Sequence, residues 1–297
     1  MSKNANLHKA KGIKNDEFYT RLEDIEKELA NYTQHFTDKI VYCNCDDETQ
    51  SQFWVYFHTH FSELGLKKLI ATHFDRTAFT EKAEYSGGND ADITVCVRTP
   101  LNSHGDFRSP QCVAIMKEAD IIVSNSPFSL FQTWIHKMFQ YNKLFLGIGP
   151  KNAITYSNVF PRIQENQMWL GCNDVTAFVD PTGQTHKFGN IGWFTNLEHA
   201  KRHEPLTLTK PYVAENYHTY ANYDAINVDN VADIPTNYDG KVGVPLSFLD
   251  KYNPDQFRIV KFRKGDDGTD LYYKDETTVI QPYFRILIQR KSSDCSS

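Results

Sequence analysis

The chain of 297 residues carries a formal net charge of −5, with 40% hydrophobic and 13% aromatic residues. That composition supports a substantial core and excludes an intrinsically disordered chain. No run of about 18 apolar residues occurs, which excludes a membrane-spanning helix, and the acidic balance disfavours a protein that coats nucleic acid indiscriminately.

Residues 1–14 are polar and basic, with Lys3, Lys9, Lys11 and Lys14. They read as a basic arm, either a frayed terminus or a DNA contact, and not as a secretory signal. Thr20 followed by Glu23 fits a capping box, and Leu22, Ile25 and Leu29 form one helical stripe. Short apolar runs at 39–43, 68–72, 93–97, 121–123 and 144–148 predict five strands. Helical patterns lie between them: Phe53, Phe57, Phe61 and Leu64 share one spacing, and Ser109-Pro110 opens a helix through Met116. Further helices are expected at 129–139 and toward Gln164. This alternation predicts an α/β fold, a mostly parallel Rossmann-like sheet with helices on both faces. Ligands of such sheets bind at the carboxyl ends of the strands.

Past about Met168 the pattern changes to short apolar segments between turn signals. A smaller β-rich region is expected there, with strands at 257–263 and, after Pro282, at 283–288. The six cysteines include no CxxC pair and no His/Cys group at zinc spacing. A reduced cytoplasmic protein without a metal is expected.

The chemistry concentrates at Asn125-Ser126-Pro127-Phe128, directly after the apolar run 121–123 and Ser124. Adenine N6 is a poor nucleophile, because its lone pair is delocalised into the ring. Methylating it requires acceptors aimed at the amino hydrogens, preorganised for the charge that develops. Asn125 offers a side-chain acceptor and Ser126 a backbone carbonyl. Pro127 stiffens the turn, and Phe128 can stack on an extruded base. Four residues alone fit equally a strand-to-helix loop in which Asn and Ser act as caps.

The tetrapeptide is similar to the (N/D/S)PP(Y/F) motif of amino methyltransferases, with Ser126 at the usual proline. Around it, ADIIVSNSPFSLF at 119–131 and GDFRS at 105–109 resemble the EcoRI-type adenine-specific DNA methyltransferases. So do KNDEFYT at 14–20, VYCNCDD at 41–47, WFTNL at 193–197 and FLDKYN at 248–253. The resemblance runs from residue 14 to beyond residue 250. It implies S-adenosylmethionine as cofactor and a flipped adenine in double-stranded DNA as substrate.

Under that resemblance Phe18, Tyr19 and Thr20 are similar to a segment lying over the methionine end of the cofactor. Asn44, Asp46 and Asp47 follow the first strand, where the usual glycine-rich turn is missing; which acid faces inward is open. Asp75 is a candidate for the ribose hydroxyls, and Asp106 with Phe107 for the cofactor adenine. Gly147 and Gly149 form half of a dinucleotide fingerprint and read better as strand-end packing. Arg258, Lys261, Arg263, Lys264, Arg285, Arg290 and Lys291, with Tyr272, Tyr273 and Tyr283, are candidates for DNA contacts or for solvated strand faces.

The domains expected are a basic arm at 1–14, a methyltransferase domain at 15–200 and a target-recognition region at 201–297. The function expected is site-specific adenine N6 methylation, as in restriction-modification or phage DNA protection. The chain is expected to be a monomer, with a cognate restriction endonuclease as candidate partner. Two alternatives stay open: methylation of RNA adenine or protein glutamine, and a non-catalytic DNA-binding relative.

Overall fold

The computed structural model describes residues 19–180 and 183–291. The chain divides into two compact units, one of residues up to 159 with 168–198, the other of 160–167 with the residues from 199 onward.

The first unit opens with β1 (Tyr19–Thr20) and α1 (Leu22–Leu29). There follow β2 (Ile40–Cys43), α2 (Gln52–Thr59), β3 (Lys68–Ala71), β4 (Glu81–Tyr85) and β5 (Val97–Pro100). The chain returns through α3 (Pro110–Glu118), β6 (Ile121–Ser124), α4 (Phe131–Gln140) and β7 (Leu144–Pro150). The remaining strands are β8 (Trp169–Asp174), β9 (Phe178–Val179), β10 (Thr185–His186) and β11 (Ile191–Thr195).

Eight of these strands form one mixed sheet in the order β5-β4-β3-β2-β6-β7-β11-β8. Only the central β3-β2-β6-β7 ladder is parallel; β4, β5, β11 and β8 pair antiparallel. The expectation of a mostly parallel sheet thus holds for its centre and fails for both flanks. From β2 the chain moves outward to β3, then re-enters at β6 on the other side of β2. The strand order therefore reverses between β2 and β6.

The central strands are apolar on both sides because helices cover both faces. Val41, Cys43, Ile121, Val123, Leu146 and Ile148 share a core with Ile25 and Leu29 of α1 and with Phe53 and Phe57 of α2. On the opposite face Phe145 meets Trp134 and Phe139 of α4, with centroids at 5.6 and 5.9 Å. Helix α3 begins at its sequence signal: Ser109 accepts from the Cys112 N–H, and proline sits in the first turn.

Two local expectations are corrected. The strand expected at 93–97 begins only at Val97 and runs to Pro100. Residues before it are pinned as a loop, where the Ile93 carbonyl accepts from Trp54 Nε1 and Asp92 Oδ1 accepts from the Thr94 N–H. Thr20 does not cap α1 either. It lies in β1, paired with Phe178 of β9, and Arg21 occupies the cap without a side-chain bond. The helix is anchored instead by buried acids. Asp24 accepts from Thr176, and Glu28 accepts from Tyr32 Oη and from the backbone of Cys172 and Asn173.

The second unit contains α5 (Phe160–Gln164) and a four-stranded sheet. Its strands are β12 (Ile226–Asn227), β13 (Lys241–Pro245), β14 (Phe257–Phe262) and, after the hairpin of β15 (Tyr273–Asp275) and β16 (Thr278–Ile280), β17 (Arg285–Arg290). Their order is β12-β13-β17-β14. Strand β14 stops at Phe262 because Arg263 turns to a φ of 50°. Phe160 of α5 stacks on Phe262 at 4.5 Å. Among the described residues no helix is long and apolar enough to cross a membrane.

Candidate active site

At the carboxyl end of β6 the chain leaves the sheet through Ser124 into Asn125, Ser126, Pro127 and Phe128. Ser126 is buried, and its Oγ donates to the Ile148 carbonyl of β7 at 3.0 Å. From the β2 side, Asp46 Oδ2 accepts from Ser124 Oγ at 3.0 Å and from the Asn125 N–H at 3.3 Å. The turn is therefore held from both neighbouring strands. Asn125 is half-buried. Phe128 sets its ring edge-on to Phe178 at 5.8 Å, and Phe178 pairs with Thr20. Tyr19, Thr20 and the turn are thereby linked through β9.

Helix α4 closes the turn from behind, and glycines in β7 permit its approach. A Cβ on Gly147 would lie 2.5 Å from the Trp134 ring, and one on Gly149 would lie 2.3 Å from Phe131. Both glycines serve strand-to-helix packing, as the weak fingerprint suggested. Trp134 Nε1 also donates to Asn44 Oδ1 at 3.0 Å. This fixes the Asn44 amide so that Nδ2 remains a buried donor without a partner.

Asp46 and Asp47 face different ways. Asp46 is only 3% exposed, and its Oδ1 also accepts from Ser51 Oγ at 2.8 Å. Burial pushes its carboxyl up to about 6, against the pull of the Ser51, Ser124 and Asn125 donors. Asp47 is partly exposed; Oδ1 accepts from Thr49, and Oδ2 lies 3.8 Å from His73 Nε2. Asp47, Glu48 and His73 form a group whose ligand atoms lie within 4.8 Å of one another, with Glu48 also paired to Arg98 at 3.1 Å.

The next loops are zipped to this one. The Asp46 N–H donates to the Thr72 carbonyl, just past β3, at 3.0 Å. The Asp75 N–H donates to the His104 carbonyl and the Thr80 N–H to that of Ser103. Asp75 Oδ1 accepts from Thr77 and from the Ala78 N–H, which holds its carboxyl below the usual range. Gly105 is required at this crossing: its φ is +72°, and a Cβ would lie 1.9 Å from the His73 carbonyl oxygen. Both oxygens of Asp106 are engaged by Arg108, which lowers its pKa, and Phe107 is buried beside them.

The structure thus joins Asn44, Asp46, Asp75, Asp106 and the Asn125 turn along the carboxyl ends of β2, β3 and β6. Phe18 and the arm at 1–14 lie outside the described residues. Thr20 Oγ1, like Asn44 Nδ2, is buried without a hydrogen-bond partner. Unpaired buried polar atoms carry a desolvation cost that a bound polar ligand removes.

Two participants were missed in the sequence, Ser51 and Trp134, and Ser124 was read only as the end of the strand. Ser51 carried a signal, since its Oγ caps α2 by accepting from the Phe53 N–H at 3.1 Å. Trp134 carried none, because its bond to Asn44 spans 90 residues.

In the second unit several expected DNA-binding cations already have acidic partners. Arg285 donates to Asp229 at 2.7 Å, Arg263 and Lys264 reach Asp270 at 2.8 Å, and Lys261 lies 3.7 Å from Asp266. Arg290 donates to the Thr236 carbonyl. Tyr283 is 72% exposed.

The family model described as "Adenine-specific methyltransferase EcoRI" matches residues 6–291. The type II methyltransferase M.EcoRI of Escherichia coli is 42% identical, covering 98% of this chain and 99% of its own length. M.MpnI of Mycoplasma pneumoniae is 37% identical over 86% of this chain and 84% of its own length. M.MgeORF184P of Mycoplasma genitalium is 36% identical over 86% of this chain and 85% of its own. No solved structure matches the chain.

Proposed function

The chain belongs to the EcoRI family of adenine-specific methyltransferases, and from that premise we propose that the turn Asn125-Ser126-Pro127-Phe128 carries out its chemistry. The protein is a DNA adenine methyltransferase of the type II class. The observation that supports the site is the anchoring of Asn125 at the point where the strand order reverses. Open α/β sheets bind their ligands in that crevice, and Asp46 and Asn125 meet across it.

We assign S-adenosylmethionine as cofactor. When bound, it supplies an electrophilic methyl group on a sulfonium sulfur. Tyr19, Thr20, Asn44 and Asp47 would hold its methionine end, with Phe18 preceding them in the chain. Of the two orphaned atoms, Asn44 Nδ2, a donor, suits its carboxylate, and Thr20 Oγ1, which can accept, suits its amino group. Asp75 would accept the ribose hydroxyls through Oδ2, since Thr77 and the Ala78 N–H bond to Oδ1. Asp106 and Phe107 would bound the adenine.

The residues of the turn act on a flipped target base. Asn125 Oδ1 and the Ser126 carbonyl accept from the two N6 hydrogens and stabilise positive charge as it grows on nitrogen. Phe128 stacks on the base, and Pro127 keeps the acceptors in place. With the cofactor bound, N6 would take its methyl group, the sulfur would keep the electron pair of the broken bond, and the displaced N6 proton would pass to solvent. Residues 15–200 contribute this chemistry and residues 201–297 read the target, with Tyr283 exposed to meet a base. Adenine as acceptor sets aside a glutamine substrate. A DNA substrate supports a cytoplasmic enzyme, with a cognate restriction endonuclease as the candidate partner.

Transfer of labelled methyl from S-adenosylmethionine to adenine-containing duplex DNA tests the reading and separates an enzyme from a silent relative. Asn125→Ala should cut turnover by at least about a hundredfold, the scale of losing one preorganised polar contact. Near-normal turnover would remove Asn125 from this role.

A further inference from the structure

We propose that Asp46 is a positioning residue for methyl transfer, its carboxylate setting the acceptor turn at Asn125 from the end of the neighbouring parallel strand. The inference rests on the reading of Asn125 as the adenine acceptor. It moves Asp46 out of the group of cofactor ligands.

The carboxylate is spent inside the protein. Oδ1 accepts from Ser51 Oγ at 2.8 Å, and Oδ2 accepts from Ser124 Oγ at 3.0 Å and from the Asn125 N–H at 3.3 Å. A carboxylate has about four lone-pair sites, so three donors nearly fill it. Asp46 is itself fixed from two further directions. Its N–H donates to the Thr72 carbonyl at 3.0 Å, and its partner Ser51 is held by the Phe53 N–H at the start of α2. The position of β3 and of α2 is thereby passed to the backbone of the residue whose side chain has to meet adenine. Asp47, partly exposed and bound to its own loop, is the acid left to face a ligand.

Burying a carboxylate is costly unless donors compensate it. Here two of the three donors, Ser124 Oγ and the Asn125 N–H, belong to the turn itself, so the charge and the turn stabilise one another. A displacement of about 1 Å at a reacting group can cost a hundredfold in rate.

Three variants test this. Asp46→Ala removes the acceptor for the Asn125 N–H and should lower the single-turnover rate at least about tenfold. In Asp46→Asn the amide oxygen can face Ser124 and Asn125, while its NH2 donates to Ser51 Oγ, which has a second lone pair. That variant should return to within about threefold of wild type. In both, affinity for S-adenosylhomocysteine, read by calorimetry, should stay within about threefold. In an Asn125→Ala background, Asp46→Ala should cost less than it does in the wild type, and an equal loss there would overturn the proposal. The proposal is overturned if folded Asp46→Ala transfers methyl at the wild-type rate. It is equally overturned if Asp46→Asn is as slow as Asp46→Ala, or if S-adenosylhomocysteine affinity falls along with the rate. Should Asp46→Ala not fold, Ser124→Ala deletes one donor from the same carboxylate. It should slow transfer severalfold at unchanged affinity, and an unchanged rate there would also overturn the proposal. Full turnover of Asn125→Ala alone would instead overturn the acceptor assignment, a failure separate from that of Asp46.

Discussion

Replacing Ser126 by alanine deletes one hydrogen bond and little else. The side chain is 1% exposed, and its hydroxyl donates to the Ile148 carbonyl at 3.0 Å. A neutral buried hydrogen bond contributes about 0.5–1.5 kcal/mol, and leaving the acceptor dry raises the loss toward about 2 kcal/mol. Thermal unfolding should therefore shift down by a few degrees. The same bond holds the segment whose carbonyl is assigned to an adenine N–H. If that tie serves the transition state, its loss appears in the barrier, where about 1.36 kcal/mol is a factor of ten. Ser126→Ala should then slow single-turnover methylation about three- to tenfold. Rapid-quench measurement at saturating DNA and labelled S-adenosylmethionine gives that rate, and calorimetry with S-adenosylhomocysteine should show unchanged affinity. A variant with lowered melting temperature and wild-type rate would refute the reasoning, because the bond would then stabilise the fold without setting the acceptor.

The remaining predictions concern what surrounds the turn. Glu28→Ala leaves the buried Cys172 N–H and the half-buried Asn173 N–H without their acceptor at 2.7 Å, and should cost about 3 kcal/mol in denaturant unfolding. Burial raises the Glu28 pKa above its ordinary 4.5, so wild-type stability from this group is fullest below that value and declines as pH rises through the raised one. Glu28→Ala should abolish that decline, and an unchanged pH profile would contradict the assignment. Trp134→Phe removes the N–H that orients the Asn44 amide. It should weaken S-adenosylhomocysteine binding about three- to tenfold, the scale of one hydrogen bond; unaltered affinity would take the Asn44 amide out of the pocket.

What the sequence made legible was local. The Ser109-Pro110 cap needs only its own turn, and it forms where the pair predicts. Gly147 and Gly149 read as packing positions because alternate glycines in an apolar run leave room for rings from one side. The misreadings came where a local pattern was overruled from a distance. Thr20 and Glu23 have the spacing of a capping box, yet pairing with Phe178 holds Thr20 extended. Ile93, Val95 and Val97 alternate like a strand, but the first two belong to a loop whose carbonyls are taken by Trp54 and His58. Strand β4 escaped notice because Glu81, Lys82 and Glu84 outnumber its buried Ala83 and Tyr85, which face one side of an antiparallel flank.

The site divides along the same line. Asn125, Ser126, Pro127 and Phe128 are consecutive, so their chemistry could be read from the chain. Their anchor could not. Asp46 lies 79 residues before Asn125, and nothing between them marks the pair. They meet because α3 returns the chain to the far side of β2, making β2 and β6 neighbours with parallel register from Val41 and Ile121. In that register the two strands end within one residue of each other, which brings the residues just beyond Cys43 beside Ser124 and Asn125. An acid three residues past β2 can then reach the first amide past β6. The same crossover that creates the ligand crevice therefore also supplies the bond that fixes the acceptor within it, and the rate and the local fold at Asn125 should respond together to any change at Asp46.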